Sequence, residues 1–460
     1  MAPTILEPAT PSKVAEPALT TLKQTLKQKI EAHRPRTTRL LKEFGKVVID
    51  QVTIDQCIGG ARDIRSLVTD ISYLDPQEGI RFRGKTIPET FEALPKAAGS
   101  DYPTVESFWY FLLTGDIPTP AQVDEVVAEW KVRQAVPQYV FETIRALPRD
   151  SHPMAMLSIG ILSMQKDSKF AKAYHDPAFN KMNAWEFLYE DAYDLVARIP
   201  VIAAFIYNLK YRSDKQVGVD PKLDMGANFA HMIGQTKTYE DVARMYFILH
   251  SDHESGNVSA HATHLVHSAL SDPYYAYSAG LNGLAGPLHG LANQEVLDWT
   301  LKFQDKYCRG VEPTKELVTK ALWDTLNAGH VVPGYGHAVL RKTDPRYMAQ
   351  REFCLKTPGL KEDPLFKLVS MIFEVAPGVL QEQGKAKNPW PNVDAQSGVI
   401  QWHYGVTEWD FYTVLFGVGR ALGCMANITW DRGLGYAIER PKSVTTPMLE
   451  KWAEEGGRKF

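Results

Sequence analysis

Apolar residues in this chain recur mostly at intervals of three and four, the spacing that lines up one face of a helix. Leu19, Leu22, Leu26 and Ile30 set that rhythm first, so an amphipathic helix is expected to open the folded body. Thr119 before Pro120 reads as an N-cap with proline in the first turn, and Val123, Val126, Val127 and Trp130 form the face behind it. Thr238 is expected to cap another helix, with Glu240 and Asp241 at its positive end and Val242, Met245, Tyr246 and Leu249 buried. A further helix should start near Pro313, carry Val318, Ala321, Leu322 and Thr325, and stop at Gly329. Strand signals are few. Lys46-Val47-Val48-Ile49 could join a small sheet, but no regular strand–helix alternation follows, which argues against a doubly wound dinucleotide fold. The expected fold class is mostly α. Residues 1–17, with four prolines, read as a flexible N-terminal arm. The Gly/Pro-rich stretch 280–290 and the loop 384–392 are candidate domain breaks.

Composition narrows the function classes. A chain of 460 residues has room for two or three domains. With 44% hydrophobic and 23% charged residues it is an ordinary globular sequence, outside the disordered range. No run approaches the roughly 18 uninterrupted apolar residues of a membrane helix, so no membrane association is expected. The 51 basic residues nearly cancel the 54 acidic ones, so there is no global field for nucleic acid. An anionic ligand must therefore meet a local cluster of cations. Cys57, Cys308, Cys354 and Cys424 lie far apart, giving neither a Cys-x-x-Cys pair nor a disulfide framework. The first residues lack the apolar core of a secretory signal and the arginines of a transit peptide, and the last three are not Ser-Lys-Leu. A cytoplasmic protein is the expectation, or a mitochondrial-matrix protein if the sequence is a processed form.

Histidine is unevenly placed. Five of the 13 fall at His250, His253, His261, His264 and His267. The last three share one side of a helix, where packing and hydrogen bonding are a better expectation than a metal site, since no His-Glu-x-x-His accompanies them. His253 sits where helical periodicity fails, a place suited to a ligand contact. His289 and His337 stand among glycines and prolines, which turn the backbone and bring main-chain groups close to a ligand. Arg341, Lys342 and Arg346 form a basic cluster after His337, and Arg420 and Arg440 each follow a structured segment. Arginine's planar fork suits carboxylates and phosphates. Asp394 follows the apolar turn Pro391-Asn392-Val393, a setting that would desolvate its carboxylate and raise its pKa. Phosphate-loop and Gly-x-Gly-x-x-Gly motifs are missing; Gly417, Gly419 and Gly423 carry one residue too many.

The blocks Ser251-Asp-His253-Glu, Asn282-Gly-Leu-Ala-Gly-Pro-Leu-His289-Gly and Pro333-Gly-Tyr-Gly-His337 through Asp344-Pro-Arg346-Tyr stand in order along the chain. With Asn388-Pro-Trp-Pro-Asn-Val-Asp394 and Glu439-Arg440-Pro-Lys-Ser, they make it resemble the citrate synthase family in its long eukaryotic form, from about residue 19 to residue 445. The resemblance implies a citrate-synthase-like two-domain helical fold. Residues 18–290 and 398–460 would form a large domain, and 291–397 a small closing domain. It implies a homodimer that condenses oxaloacetate with acetyl-CoA to citrate and coenzyme A, the thioester being a substrate and no cofactor or metal being needed. Asp394 would be the base, His289 the donor to the thioester oxygen, and His337 the group that polarises the oxaloacetate carbonyl. His253, Arg346 and Arg420, with Arg440 acting across the interface, would hold oxaloacetate. Arg341 and Lys172 would meet coenzyme A phosphates.

Departures from the family pattern cluster near these positions. They are Ser255 and Gly419, His267, Gln396, and the changed surroundings of Arg62 in Gly59–Asp63. They open an alternative, an alkylcitrate or 2-methylcitrate synthase whose acyl pocket is enlarged at Gly419 and altered at Gln396. An alternative of another class is a non-catalytic binding protein that retains the fold.

Overall fold

The computed structural model describes residues 20–457. The expected arm 1–17 and Leu19 lie outside the described residues. The fold is mostly α, with 61% helix and 3% strand. Thr20 caps the first helix, Thr21–Phe44, by accepting from the Lys23 N–H, and Leu22, Leu26 and Ile30 are buried beneath it. Thr119 caps Pro120–Arg133 and exchanges hydrogen bonds with Gln122; Val123, Val126 and Trp130 are buried and Val127 half-buried.

Two local expectations are corrected. Thr238 does not cap the helix that follows it: the Thr238 hydroxyl pairs with Thr236 at 2.8 Å, and a 3₁₀ turn, Lys237–Tyr239, leads into Glu240–Leu249. The segment 46–49 forms no strand. Val47, Val48 and Ile49 stay exposed on an irregular stretch, and the two strands among the described residues are Ser72–Asp75 and Gly79–Phe82, an antiparallel hairpin. Gly280 and Gly283 lie inside the helix Pro273–Leu284 and are there for packing. A Cβ at Gly280 would fall 2.2 Å from Thr263 Oγ1, and one at Gly283 2.9 Å from Val258 Cγ1, so these glycines let two helices approach closely.

The membrane expectation is refined as well. Among the described residues three helices, Ala184–Tyr211, Pro364–Gln383 and Trp409–Leu434, are long and apolar enough to cross a bilayer when a few charges are tolerated in the window. Their apolar windows are 89%, 50% and 100% buried inside the fold, which accounts for their hydrophobicity as core. The main core centres on Ala184–Tyr211 and Tyr412–Leu434, which pack on each other. A separate apolar cluster joins Phe303, Val318, Leu322, Val332, Ile372 and Leu380. The segments that return from the second cluster to the first carry His337 on a loop and Asp394 at the start of the helix Asp394–His403.

Candidate active site

Two of those loops are laced together. The Gly336 N–H donates to the Trp390 carbonyl at 3.0 Å, the Asn392 N–H to the Gly334 carbonyl at 2.9 Å, and the Asn392 amide to the Gly336 carbonyl at 3.0 Å. Asn388 donates to the Leu340 carbonyl at 2.7 Å, and the Asp344 N–H to the Pro391 carbonyl at 3.1 Å. Gly334 has φ +78° and its Cβ position lies 2.8 Å from Ala395 Cα, so only glycine lets the His337 loop sit against the start of the Asp394–His403 helix. The lacing fixes His337 relative to Asp394. The Val339 and Leu340 N–H groups donate to His337 Nδ1 at 3.0 and 3.1 Å, which leaves the ring hydrogen on Nε2.

Opposite stands the loop after Glu240–Leu249. Ser72 of the hairpin donates to the buried Asp252 carboxylate at 2.6 Å and accepts from the Glu254 N–H at 2.9 Å, which holds His253 between them. The His253 and His337 rings meet edge to face with centroids 5.3 Å apart. Asn257 then caps the helix Val258–Ser268 and accepts from Arg420 Nη1 at 2.7 Å. Ser259 Oγ accepts from the same nitrogen at 2.9 Å and lies 2.9 Å from His289 Nε2. The Ser259 N–H also donates to His289 Nε2 at 3.3 Å, so that nitrogen is an acceptor and the hydrogen sits on Nδ1.

The charges are unevenly compensated. Arg346 is 3% exposed and grips Asp344 two residues back, with Nη2 to Oδ2 at 2.7 Å. Arg420 is 1% exposed, and its bonds go to the His250 carbonyl, Asn257 and Ser259, all neutral. Among the described residues it has no ion-pair partner, which leaves a buried cation that an anionic ligand would balance. Burial pulls the Arg420 pKa down accordingly. Burial pushes the Asp394 carboxyl up to about 7, with Arg346 and Arg420 opposing. Burial and then the neighbouring arginines hold His289 at about 3, burial and Arg346 hold His337 at about 4, and burial puts His253 well below its usual value. All three imidazoles are therefore neutral near pH 7. The site offers two directed N–H donors, a carboxylate that is a base around neutrality, and two buried guanidiniums.

The structure thus brings together His253, His289, His337, Arg346, Asp394 and Arg420. Arg341 lies at the rim and folds its guanidinium back onto the Ala338, Val339 and Leu340 carbonyls. Lys172 is not brought in: it reaches only the Asp167 carbonyl, at 3.3 Å, on a short helix packed against Ala184–Tyr211. Arg440 is exposed. His261 and His264 meet Glu439 and Asp431, and His267 Nδ1 donates to the Ser271 carbonyl at 2.9 Å. Among the described residues no group of three or more His, Cys, Asp or Glu side chains is arranged to hold a metal ion.

The enlarged-pocket expectation is corrected. A Cβ at Gly419 would fall 2.8 Å from the Phe247 carbonyl oxygen and 3.2 Å from its Cα, so this glycine faces helix backbone. Gln396 turns its amide onto Cys354 Sγ at 3.0 Å. Both changes alter packing around the site. Sequence reading missed Asn257, Ser259 and Asp344, which set tautomers and hold the arginines. The available signal was their place at helix starts: Asn257 before an apolar helical run and Asp344 before Pro345.

The family model described as citrate synthase, C-terminal domain, matches residues 60–442. The chain is 52% identical over 435 residues to a citrate synthase of Saccharomyces cerevisiae described as mitochondrial, covering 94% of this chain and 89% of the relative. It is 52% identical over 430 residues to a mitochondrial citrate synthase of Daucus carota, covering 93% and 90%. A probable mitochondrial citrate synthase of Glossina morsitans morsitans is 51% identical, covering 94% and 93%. Among solved structures, citrate synthase from Pyrobaculum aerophilum superposes with TM-score 0.73 at 26% identity, covering 87% of this chain and 95% of that one. The Thermoplasma acidophilum enzyme in ternary complex with carboxymethyl coenzyme A and oxaloacetate gives TM-score 0.70 at 22% identity, covering 86% and 97%.

Proposed function

This chain belongs to the citrate synthase family, and from that premise we propose how its residues join oxaloacetate to acetyl-CoA to give citrate and coenzyme A. It is an enzyme, an acyltransferase, and the reaction needs no cofactor beyond its thioester substrate. The observation that carries the residue assignment is the buried, unpaired Arg420 beside two neutral histidines and a base-competent aspartate. Arg346 and Arg420 take the oxaloacetate carboxylates, and His253 orients that substrate. Asp394 removes a proton from the acetyl methyl group while His289 Nδ1–H stabilises the enol oxygen. The enol carbon then attacks the oxaloacetate ketone, whose oxygen receives a proton from the His337 side. Water cleaves the resulting thioester to release coenzyme A.

Residues 291–397 act as a small domain closing on the rest, 18–290 and 398–460; the separate apolar cluster from Phe303 to Leu380 supports this division, while Leu340, Phe353 and Phe366 pack into the main core. The working unit is a homodimer in which Arg440 completes the partner's carboxylate clamp. Exposed Leu40, Leu41, Phe44, Val47, Val48 and Ile49 supply an apolar surface suited to a second copy. Of the two expected coenzyme A contacts, Arg341 keeps its support by lying next to His337. Lys172 has less. For the compartment, the mitochondrion is the better proposal than the cytoplasm, because the relatives named above are described as mitochondrial.

The pH profile tests the assignment. A base whose pKa is raised to about 7 works only above that value. Log kcat/KM for acetyl-CoA, at saturating oxaloacetate, should climb with unit slope below pH 7 and flatten above it. An acid limb near pH 4, the ordinary range of an exposed aspartate, would contradict a base held up by burial, and an acid limb that persists in Asp394→Asn would remove Asp394 from the role of base.

A further inference from the structure

The segment that carries Arg440 leaves the long helix Tyr412–Leu434 at Gly435, where φ is +76°. It then runs back across Val258–Ser268. Three side chains on one stripe of that helix hold it. His261 Nε2 lies 2.8 Å from Glu439 Oε1, and Ser268 Oγ accepts from the Glu439 N–H at 3.0 Å. Between them His264 bridges two carboxylates, with Nδ1 2.7 Å from Asp431 Oδ2 and Nε2 3.6 Å from Glu439 Oε2. Asp431 and Arg432 add main-chain ties: the Tyr436 N–H donates to the Asp431 carbonyl at 3.0 Å, and Arg432 Nη2 to the Tyr436 carbonyl at 2.7 Å. Glu439 is thus anchored while Arg440, the next residue, is left exposed.

We infer that His261, His264, Asp431 and Glu439 form a pH-sensitive latch that positions Arg440. The inference rests on the reading of Arg440 as a carboxylate-binding residue of the partner's site. A histidine between two carboxylates is stabilised as the imidazolium, in which the hydrogen bond to Asp431 is charge-assisted and the 3.6 Å contact with Glu439 becomes an ion pair. The hydrogen bond to Asp431, the largest influence, raises the pKa of His264 above its ordinary value against the opposing effect of burial. The sign follows from the raised pKa. The latch is fully held below about pH 6.5, the unperturbed histidine value, and weakens as pH rises through the pKa of the folded protein. The charged and titratable groups around it are Asp431 and Arg432 from the long helix, Tyr436, Glu439 and Arg440 from the segment, His261 and His267 from its own helix, and Asp70, which acts on Tyr436 from the stretch before the hairpin. His267 is held at about 3 by burial and stays neutral throughout this range.

The test is steady-state KM for oxaloacetate from pH 6 to 9, together with hydrogen-exchange protection factors for residues 436–444. Both are read in the wild-type dimer, His264→Gln, Asp431→Asn and Arg440→Ala. In the wild type KM should rise with pH by roughly three- to tenfold, the range of one partly buried charged contact, while protection of the segment falls. His264→Gln and Asp431→Asn should show low protection already at pH 6 and a KM that keeps only the slope Arg440→Ala also shows, the part due to Asp394 titrating at about 7. A variant that is merely looser would be displaced from wild type by a constant factor at every pH. Wild-type slopes in both variants overturn the latch. If instead Arg440→Ala leaves KM unchanged while His264→Gln still deprotects the segment, the latch exists but the assignment of Arg440 to the clamp fails, and its positioning role falls with it.

Discussion

Replacing Asp394 with alanine is expected to abolish turnover while oxaloacetate still binds. The acetyl α-proton is only weakly acidic, and the two other aspartates nearest the histidines are engaged: Asp344 is fully buried and locked to Arg346, and Asp252 is held by Ser72 and Asn427. General-base catalysis is typically worth ~100–10,000-fold, and the loss should fall toward the upper end because water cannot easily replace a base this deeply set. Oxaloacetate affinity by calorimetry should change little, since Arg346 and Arg420 keep their own partners. Activity within tenfold of wild type would remove Asp394 from the mechanism.

Arg420→Lys is expected to weaken oxaloacetate binding by roughly 10–100-fold, the span of one to two charged hydrogen bonds, and to leave the KM for acetyl-CoA within about threefold. The guanidinium reaches the His250 carbonyl through Nε while Nη1 is shared between Asn257 and Ser259, a fixed fork that leaves its charge for a ligand. An ammonium is a point charge on a flexible stem and cannot hold both contacts while presenting two donors outward. Because Ser259 also touches His289, kcat should drop as well, by a smaller factor. Equal loss of affinity for both substrates would mean that Arg420 supports the site generally and does not clamp a carboxylate.

Much of this was legible in the sequence, and for identifiable reasons. Helices announced themselves where a cap and a three-to-four rhythm coincided, as at Thr119 and along Leu22, Leu26 and Ile30. The convergence of His289, His337 and Asp394, the residues the proposed mechanism uses, could be anticipated because each stands on or beside a Gly- or Pro-set turn. Illegible were contacts between residues distant in the chain. The hairpin Ser72–Phe82 carries a tie to Asp252, 180 residues away, and nothing local distinguishes it from the exposed apolar piece at 46–49. The bond from Arg420 to Asn257 spans 163 residues and explains both the capping asparagine and the buried charge. Gly419 was misread for a related reason. A missing side chain near a site suggests added volume, but the volume lies against the Phe247 backbone, where two helices meet.

Acetyl-CoA selectivity reaches the centre of the assignment most directly. The measurement is oxaloacetate-dependent release of free thiol from acetyl-, propionyl-, butyryl- and hexanoyl-CoA, with the product identified by mass. An extra methylene in a pocket that lacks room for it costs about 1–3 kcal/mol. With Gly419 and Gln396 turned into packing contacts, kcat/KM should therefore fall at least about fivefold from acetyl- to propionyl-CoA and nearly vanish by hexanoyl-CoA, with citrate as the product. No thiol release from acetyl-CoA, or a higher kcat/KM for hexanoyl-CoA than for acetyl-CoA, would contradict a citrate-forming site.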